Sequence, residues 1–298
     1  MSKNLRYYKN LIDKSFIGNI VIKKEFTFFL KEKLYLKDSD VYIDDKERNL
    51  SPSEEDLILD FINKKQNDFP LDYILNSTKF YEKEFYVDQR VLIPRPETEI
   101  LVDYINNYEF IDKARILDIG TGSGCIGISI ALSNPQLNVY GSDYSLNALK
   151  VAGINKEELN SDNFYLINAD WLSCFRENFF DIIVSNPPYI CEKDNHLKNL
   201  IHEPREALIS SDSGLCDIKK IIRQATNILK KNGILIVEHG FNQSIEVRKI
   251  FEHLDIQINR LIRIKFGPFE LGQINKGEFI ELNKKEVPKK LKKIGFKE

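Results

Sequence analysis

Apolar positions in the first quarter of the chain recur at mixed helical spacing, as in Phe26, Phe28, Phe29 and Leu30 followed by Leu34, Tyr35 and Leu36, so residues 3–75 read as helical. One helix start is written out fully. Ser51 stands as N-cap, Pro52 takes the first helical position, where an N–H would have no partner, and Glu54 and Glu55 place acids in the first turn. Asp56-Leu57-Ile58-Leu59-Asp60-Phe61-Ile62 then supplies an apolar face, and Gln66-Asn67-Asp68-Phe69-Pro70 is expected to end the helix.

From Phe80 to Ile93 the pattern changes to two short strands joined by a polar turn, a hairpin expected to link two domains. Beyond it, apolar runs alternate with helical stretches: 115–118, 137–143, 164–169, 181–185 and 233–238. Strand and helix in alternation predict an α/β fold, with a parallel sheet covered by helices on both faces. The expected organisation is a helical segment over 1–75, a hairpin linker over 76–95, a sheet domain over 96–283 and a basic tail over 284–298. That tail holds seven lysines and two glutamates; it reads either as a solvated end or as a contact to RNA or an acidic partner.

Composition narrows the field. At 298 residues the chain can bury one large core and a smaller one, and a net charge of -2 excludes nucleic-acid affinity driven by bulk charge. No apolar run approaches the roughly 20 residues that span a bilayer, and Met1-Ser2-Lys3-Asn4-Leu5-Arg6 lacks the apolar core of a signal peptide, so a cytoplasmic protein is expected. Cys125, Cys174, Cys191 and Cys216 form no C-x-x-C pair and the four histidines no H-x-x-x-H pair; no metal is expected.

The chemistry concentrates in two turns. Asp118-Ile119-Gly120-Thr121-Gly122-Ser123-Gly124 follows a predicted strand and opens a helix, where glycines allow a ligand to approach the backbone closely. Asp143 ends the next strand, 23 residues after Gly120, where a carboxylate can accept both hydroxyls of a ribose. Gly122-Ser123-Gly124-Cys125-Ile126-Gly127 also satisfies the G-x-G-x-x-G pattern of dinucleotide sites, so the turn taken by itself leaves a nicotinamide cofactor open. The second turn, Asn186-Pro187-Pro188-Tyr189 after Phe180-Asp181-Ile182-Ile183-Val184, has no role in hydride transfer. Its prolines lack N–H groups, leaving their carbonyls and the Asn186 side-chain oxygen as acceptors for a planar nitrogen, with Tyr189 as a flat neighbour. Together the two turns favour S-adenosylmethionine, with Gly120, Thr121, Gly122, Ser123, Gly124, Asp143, Trp171 and Asn186 as candidate contacts. Trp171 can equally be packing on adenine or filling core. Asp118 either braces the loop or acts near the amino-acid end of the cofactor.

With these residues in hand, the chain resembles the HemK/PrmC family, the peptide chain release factor N5-glutamine methyltransferases, from about residue 55 to about 245. The resemblance includes Pro70-Leu71-Asp72-Tyr73-Ile74, Leu92-Ile93-Pro94-Arg95-Pro96-Glu97-Thr98-Glu99, Glu203-Pro204-Arg205-Glu206-Ala207-Leu208, Ser213-Gly214-Leu215 and Glu238-His239-Gly240-Phe241-Asn242-Gln243. Asn76 replaces the usual glycine of the Tyr-Ile-x-Gly segment, Ser210-Ser211 replaces a pair of glycines, and the ending from Gly272 departs from the family. The resemblance implies a class I (Rossmann-like) S-adenosylmethionine-dependent methyltransferase, with a class I peptide chain release factor as protein substrate. A monomer with no obligatory nucleic acid is expected. Asn186, Pro187, Pro188 and Tyr189 would bind the substrate amide, and Asn186, Pro187 and Tyr189 would carry the catalysis. Arg95 and Glu97 to Glu99 read as pocket closure or as structure, and Glu203 with Arg205 as pocket residues or a buried ion pair. Another protein glutamine, a nucleobase amine or a catalytically silent ribosome-binding module remain the alternatives.

Overall fold

In the computed structural model, the described residues are 4–42, 48–110, 113–254, 256, 265–266 and 269–270; the Lys-rich stretch 284–298 and the divergent ending lie outside them. The chain divides into two compact units, Met1–Gln243 and Ser244–Glu298.

In the larger unit, five helices come first: α1 (Leu5–Ser15), α2 (Ile20–Leu34), α3 (Asp38–Tyr42), α4 (Pro52–Gln66) and α5 (Leu71–Leu75). The start of α4 is a reciprocal cap in which Ser51 Oγ accepts from the Glu54 N–H and the Glu54 carboxylate accepts from the Ser51 N–H at 2.8 Å. The helices share one apolar core, with Phe26, Phe29 and Phe61 in contact and Tyr8, Leu30 and Ile58 buried beside them. Asn76 ends α5 at φ 52°, the left-handed conformation in which asparagine can stand for glycine.

The hairpin forms earlier than expected. Strands β1 (Thr78–Phe80) and β2 (Lys83–Phe85) pair antiparallel around Tyr81 and Glu82, at φ 48° and 60°, and the pairing ends at Phe85 rather than running to Ile93. Two successive left-handed residues give the turn whose twist suits a two-residue hairpin. After Phe85 the apolar side chains take other partners: Val87, Val91 and Ile93 bury against Tyr73, Ala148 and Val151. Asp88 shapes its own loop by accepting from the backbone and guanidinium of Arg90.

The sheet follows α6 (Glu99–Asn106): β3 (Arg115–Ile119), α7 (Cys125–Ser133), β4 (Asn138–Asp143), α8 (Leu146–Glu158), β5 (Phe164–Asn168) and β6 (Phe180–Ser185). Then come α9 (Arg205–Leu208), the short segment α10 (Ser211–Gly214), α11 (Cys216–Ile228) and β7 (Leu229–Val237). Asp212 and Ser213 are left-handed, so α10 is a turn in all but name. The five strands are parallel in the order β5-β4-β3-β6-β7. Alternation sends Ile116, Ile182 and Val184 into a core with Ile128 and Phe164, while Leu117, Ile119 and Ile183 meet Ile221, Ala225 and Ile228 on the opposite face. β7 begins at Leu229, before the expected Gly233, and Glu238 lies one residue beyond its end. The smaller unit contains α12 (Ser244–His253) and a two-residue antiparallel pair, β8 (Lys265–Phe266) with β9 (Phe269–Glu270).

The chain builds β3, β4 and β5 outward in one direction, then returns to lay β6 on the other side of β3. The carboxyl ends of β3 and β6 therefore flank the switch point of the sheet, where open α/β folds hold ligands.

A Cβ on Gly127 would stand 2.4 Å from the Phe164 ring, a contact real side chains essentially never make. Gly127→Ala should lower stability by about 1–3 kcal/mol in denaturant unfolding. Combining it with Phe164→Leu should cost less than the two changes added, because the second relieves the overlap created by the first. Strict additivity would show that the ring moves aside.

Candidate active site

The first turn leaves β3 and enters α7 through three left-handed glycines, Gly120 at φ 66°, Gly122 at 56° and Gly124 at 83°. Their surroundings differ. A Cβ on Gly124 would press on Ile128 Cδ1 at 2.8 Å and Ala152 at 3.3 Å, so that glycine is demanded by internal packing. On Gly122 a Cβ would meet only the Gly120 carbonyl oxygen at 4.0 Å, leaving a cradle of bare backbone open to a ligand. Thr121 is tied to β4 through its N–H, 2.9 Å from the Ser142 carbonyl.

Asp118 braces this turn. One carboxylate oxygen accepts from Thr121 Oγ1 at 2.6 Å and from the Gly127 N–H at 3.0 Å, while the other is buried and unpartnered. Burial pushes its pKa up to about 7, against the opposing pull of those two hydrogen bonds. Asp143, at the end of β4, accepts from the Gly122 N–H at 2.9 Å and the Ser145 N–H at 2.8 Å. Each oxygen keeps acceptor capacity for a further donor. Burial raises its pKa also. Trp171 is half-buried against the core that contains Leu117 and Phe180, and its indole edge lies 3.6 Å from where a Gly120 Cβ would stand.

The second turn leaves β6. Ile119 and Ser185 are register partners in β3 and β6, and Ser185 Oγ donates to the Ile119 carbonyl at 2.8 Å, so Gly120 and Asn186 start from adjacent strand ends. Asn186 Nδ2 donates to Thr98 Oγ1 at 3.1 Å, and Thr98 Oγ1 donates to Glu238 Oε2 at 2.8 Å. Tyr189 Oη donates to the other oxygen of Glu238 at 3.1 Å. Burial, with the Glu238 charge beside it, raises the pKa of Tyr189. The turn is also gripped from behind. Gln243 Nε2 donates to the Tyr189 carbonyl at 2.9 Å, Ile190 exchanges backbone hydrogen bonds with Leu208 and Ser210, and a Cβ on Gly214 would lie 2.1 Å from the Tyr189 oxygen. Among the described residues, no hydrogen bond engages Asn186 Oδ1 or the Pro187 carbonyl.

Several sequence expectations find their places here. Glu203 pairs with Arg95 at 2.6 Å and accepts from the Ile93 N–H, whereas Arg205 faces Glu192 at 3.6 Å on the surface, so of the two readings of Glu203 and Arg205 the mutual ion pair does not form. The cause is direction: Arg205 begins α9, while Glu203 points back to the loop carrying Arg95. Glu99 accepts from the Tyr81 N–H at 2.9 Å and so secures the hairpin turn rather than the pocket. Sequence alone assigns no separate role to Thr98 or Glu238, although both lie in the segments that carry the family resemblance. No three His, Cys, Asp or Glu side chains are grouped to hold a metal ion, and no helix is long and apolar enough to cross a membrane, among the described residues.

Residues 111–263 match a family described as a methyltransferase domain. The chain is 38% identical over 209 residues to a release factor glutamine methyltransferase of Coxiella burnetii, covering 69% of this chain and 75% of that protein. It is 39% identical to the protein of the same description from Buchnera aphidicola subsp. Schizaphis graminum, over 70% of this chain and 76% of that one. With the one from Escherichia coli K12 the figures are 35% identity, 64% and 69%.

The raised pKa of Asp118 makes a stability prediction. The folded protein holds this proton more tightly than the unfolded chain, so the contribution is fully present below the ordinary carboxylate range and is lost as pH rises toward about 7. Asp118→Asn keeps an acceptor for Thr121 and Gly127 and cannot ionise. Its stability relative to the parent, followed by urea unfolding of the ligand-free protein, should improve between about pH 4 and pH 7. A constant difference across that range would refute the assignment.

Proposed function

Because the chain belongs to the release factor glutamine methyltransferase family, we propose that it methylates the glutamine side-chain amide nitrogen (N5) in the Gly-Gly-Gln motif of class I peptide chain release factors, supporting translation termination. The methyl donor is S-adenosylmethionine. One observation carries the assignment to an amide: Asn186 turns its donor inward to Thr98, leaving Oδ1 and the Pro187 carbonyl as neighbouring acceptors at the end of β6.

An amide nitrogen is a poor nucleophile because its lone pair is delocalised into the carbonyl. Asn186 Oδ1 and the Pro187 oxygen accept hydrogen bonds from the two amide N–H groups, which raises electron density on nitrogen and fixes the direction of attack. As the nitrogen–methyl bond forms the methyl–sulfur bond breaks, and the nitrogen releases one of its two hydrogens to solvent as a proton. The Tyr189 ring, tethered through its hydroxyl to Glu238, packs on the amide plane and excludes water. When bound, S-adenosylmethionine supplies a methyl group activated by its sulfonium. Gly120, Thr121, Gly122, Ser123 and Gly124 would hold it along the open backbone cradle, Asp143 would accept the ribose hydroxyls, and Trp171 would lie beside adenine.

Two glycines ahead of the target glutamine add little bulk at a recessed site. Three residues offer too little surface for specificity, so the helical residues 1–75 grip the remainder of the factor, residues 76–95 link, and residues 96–283 catalyse. The protein works in the cytoplasm as a monomer, without nucleic acid, and the basic tail is dispensable for chemistry.

The direct test is mass spectrometry of a purified release factor after incubation with the protein and labelled donor. Methyl transfer to nucleic acid with the glutamine untouched would overturn the substrate assignment. Asn186→Ala should cut kcat by about 10²–10³-fold and weaken donor binding far less. Asp143→Ala should weaken donor binding by about tenfold in calorimetry, since a hydrogen bond to a charged group is lost; unchanged affinity in a folded variant would remove Asp143 from the site.

A further inference from the structure

A side-chain amide has two ends of nearly the same shape and opposite hydrogen-bonding sense, so Asn186 assists a substrate amide only if its oxygen faces outward. We infer that Glu238, acting through Thr98, sets the orientation of the Asn186 amide, and that it does so only as a carboxylate. The inference rests on the proposed methyl transfer and names positioning residues for it.

The hydrogen bonds run in one direction. An ionised carboxylate can only accept, so the single hydroxyl hydrogen of Thr98 is committed to Glu238 Oε2 at 2.8 Å. The Thr98 oxygen is then an acceptor alone, and the end of Asn186 that it takes is Nδ2, at 3.1 Å. Thr98 is only 2% exposed, which leaves water little access to replace either bond. Reversing Asn186 would set its carbonyl against the Thr98 lone pairs and present N–H groups to the N–H groups of the substrate. The second oxygen of Glu238 accepts from Tyr189, so one carboxylate anchors both ends of the Asn186–Tyr189 turn. Thr98 and Glu238 are 140 residues apart in sequence and meet only through the fold.

Protonation removes the direction. A neutral Glu238 can donate to Thr98, whose hydroxyl is then released to donate to Asn186 Oδ1, and the amide turns over. The surroundings bring that state within reach: burial raises the pKa of Glu238, the Thr98 and Tyr189 hydrogen bonds oppose the rise, Glu97 adds to it and Arg95 subtracts. His239, next in the chain, directs Nδ1 to the Gly240 carbonyl at 2.8 Å.

The test uses the full chain, labelled donor and a purified release factor. Thr98→Val keeps the volume and removes the hydroxyl; kcat should fall by about 10–100-fold with donor affinity and release-factor KM within about twofold. Thr98→Ser, which restores the hydroxyl, should recover much of that loss. The parent should lose kcat on acidification through an ionisation above the ordinary carboxylate range, and Glu238→Gln should lack that acid limb. A second readout needs no turnover: the Asn186 side-chain amide resonances, identified by their disappearance in Asn186→Asp, should show one hydrogen-bonded N–H that Thr98→Val abolishes. Unchanged kcat in Thr98→Val, an unchanged acid limb in Glu238→Gln, or unchanged amide resonances would each overturn the inference. If the parent leaves the release factor glutamine unmethylated, the functional reading falls, while the resonances still decide the orientation of Asn186.

Discussion

The site depends on the parallel pairing of β3 with β6, in register so that Ile119 stands beside Ser185. Parallel strands cannot be joined by a tight turn, and here the chain spends two helices and two strands before returning to the neighbour of β3. That detour brings the glycine turn and the Asn-Pro-Pro-Tyr turn to one edge. The pairing is held from both faces, by Ile116, Ile182 and Val184 on one side and Leu117 and Ile183 on the other, so a slip by one residue would exchange the two cores. The Ser185 hydroxyl, bonded across to the Ile119 carbonyl, continues the link past the last backbone pair.

Around this edge, segments far apart in sequence converge on one short turn. Thr98 precedes α6, Gly214 closes α10, Glu238 follows β7, and Gln243 ends the loop beyond it; each touches Asn186 or Tyr189 directly or through one intermediate. A turn of two prolines has few N–H groups with which to hold itself, so rigidity has to come from outside. Arg95 and Glu203 belong to the same frame, joining the loop after the hairpin to the start of α9.

Local signals explain what could be read from sequence. The alternation of strands and helices, the cap at Ser51-Pro52-Ser53-Glu54 and the left-handed Asn76 are short-range features, and the structure follows them. The hairpin was legible as a type of element but not in position, because Val87, Val91 and Ile93 have a strand-like pattern while their partners come from α5 and α8. Asn186 and Asp143 stand out because each ends a strand. The parts played by Thr98 and Glu238 were hidden for the opposite reason: a threonine–glutamate contact 140 residues long has no periodicity and no fixed spacing. Even the charge partner of Glu203 is misread from the nearby Arg205, since proximity in sequence says little about where a side chain points across a loop.

Trp171 is the single tryptophan of the chain, and its indole edge stands over Gly120. Near-red-edge excitation therefore addresses one ring at the mouth of the glycine turn, with no second indole to dilute the signal. The intrinsic emission of this protein is in effect a built-in optical probe of that turn, sensitive to the polarity of whatever lies beside it and requiring no label.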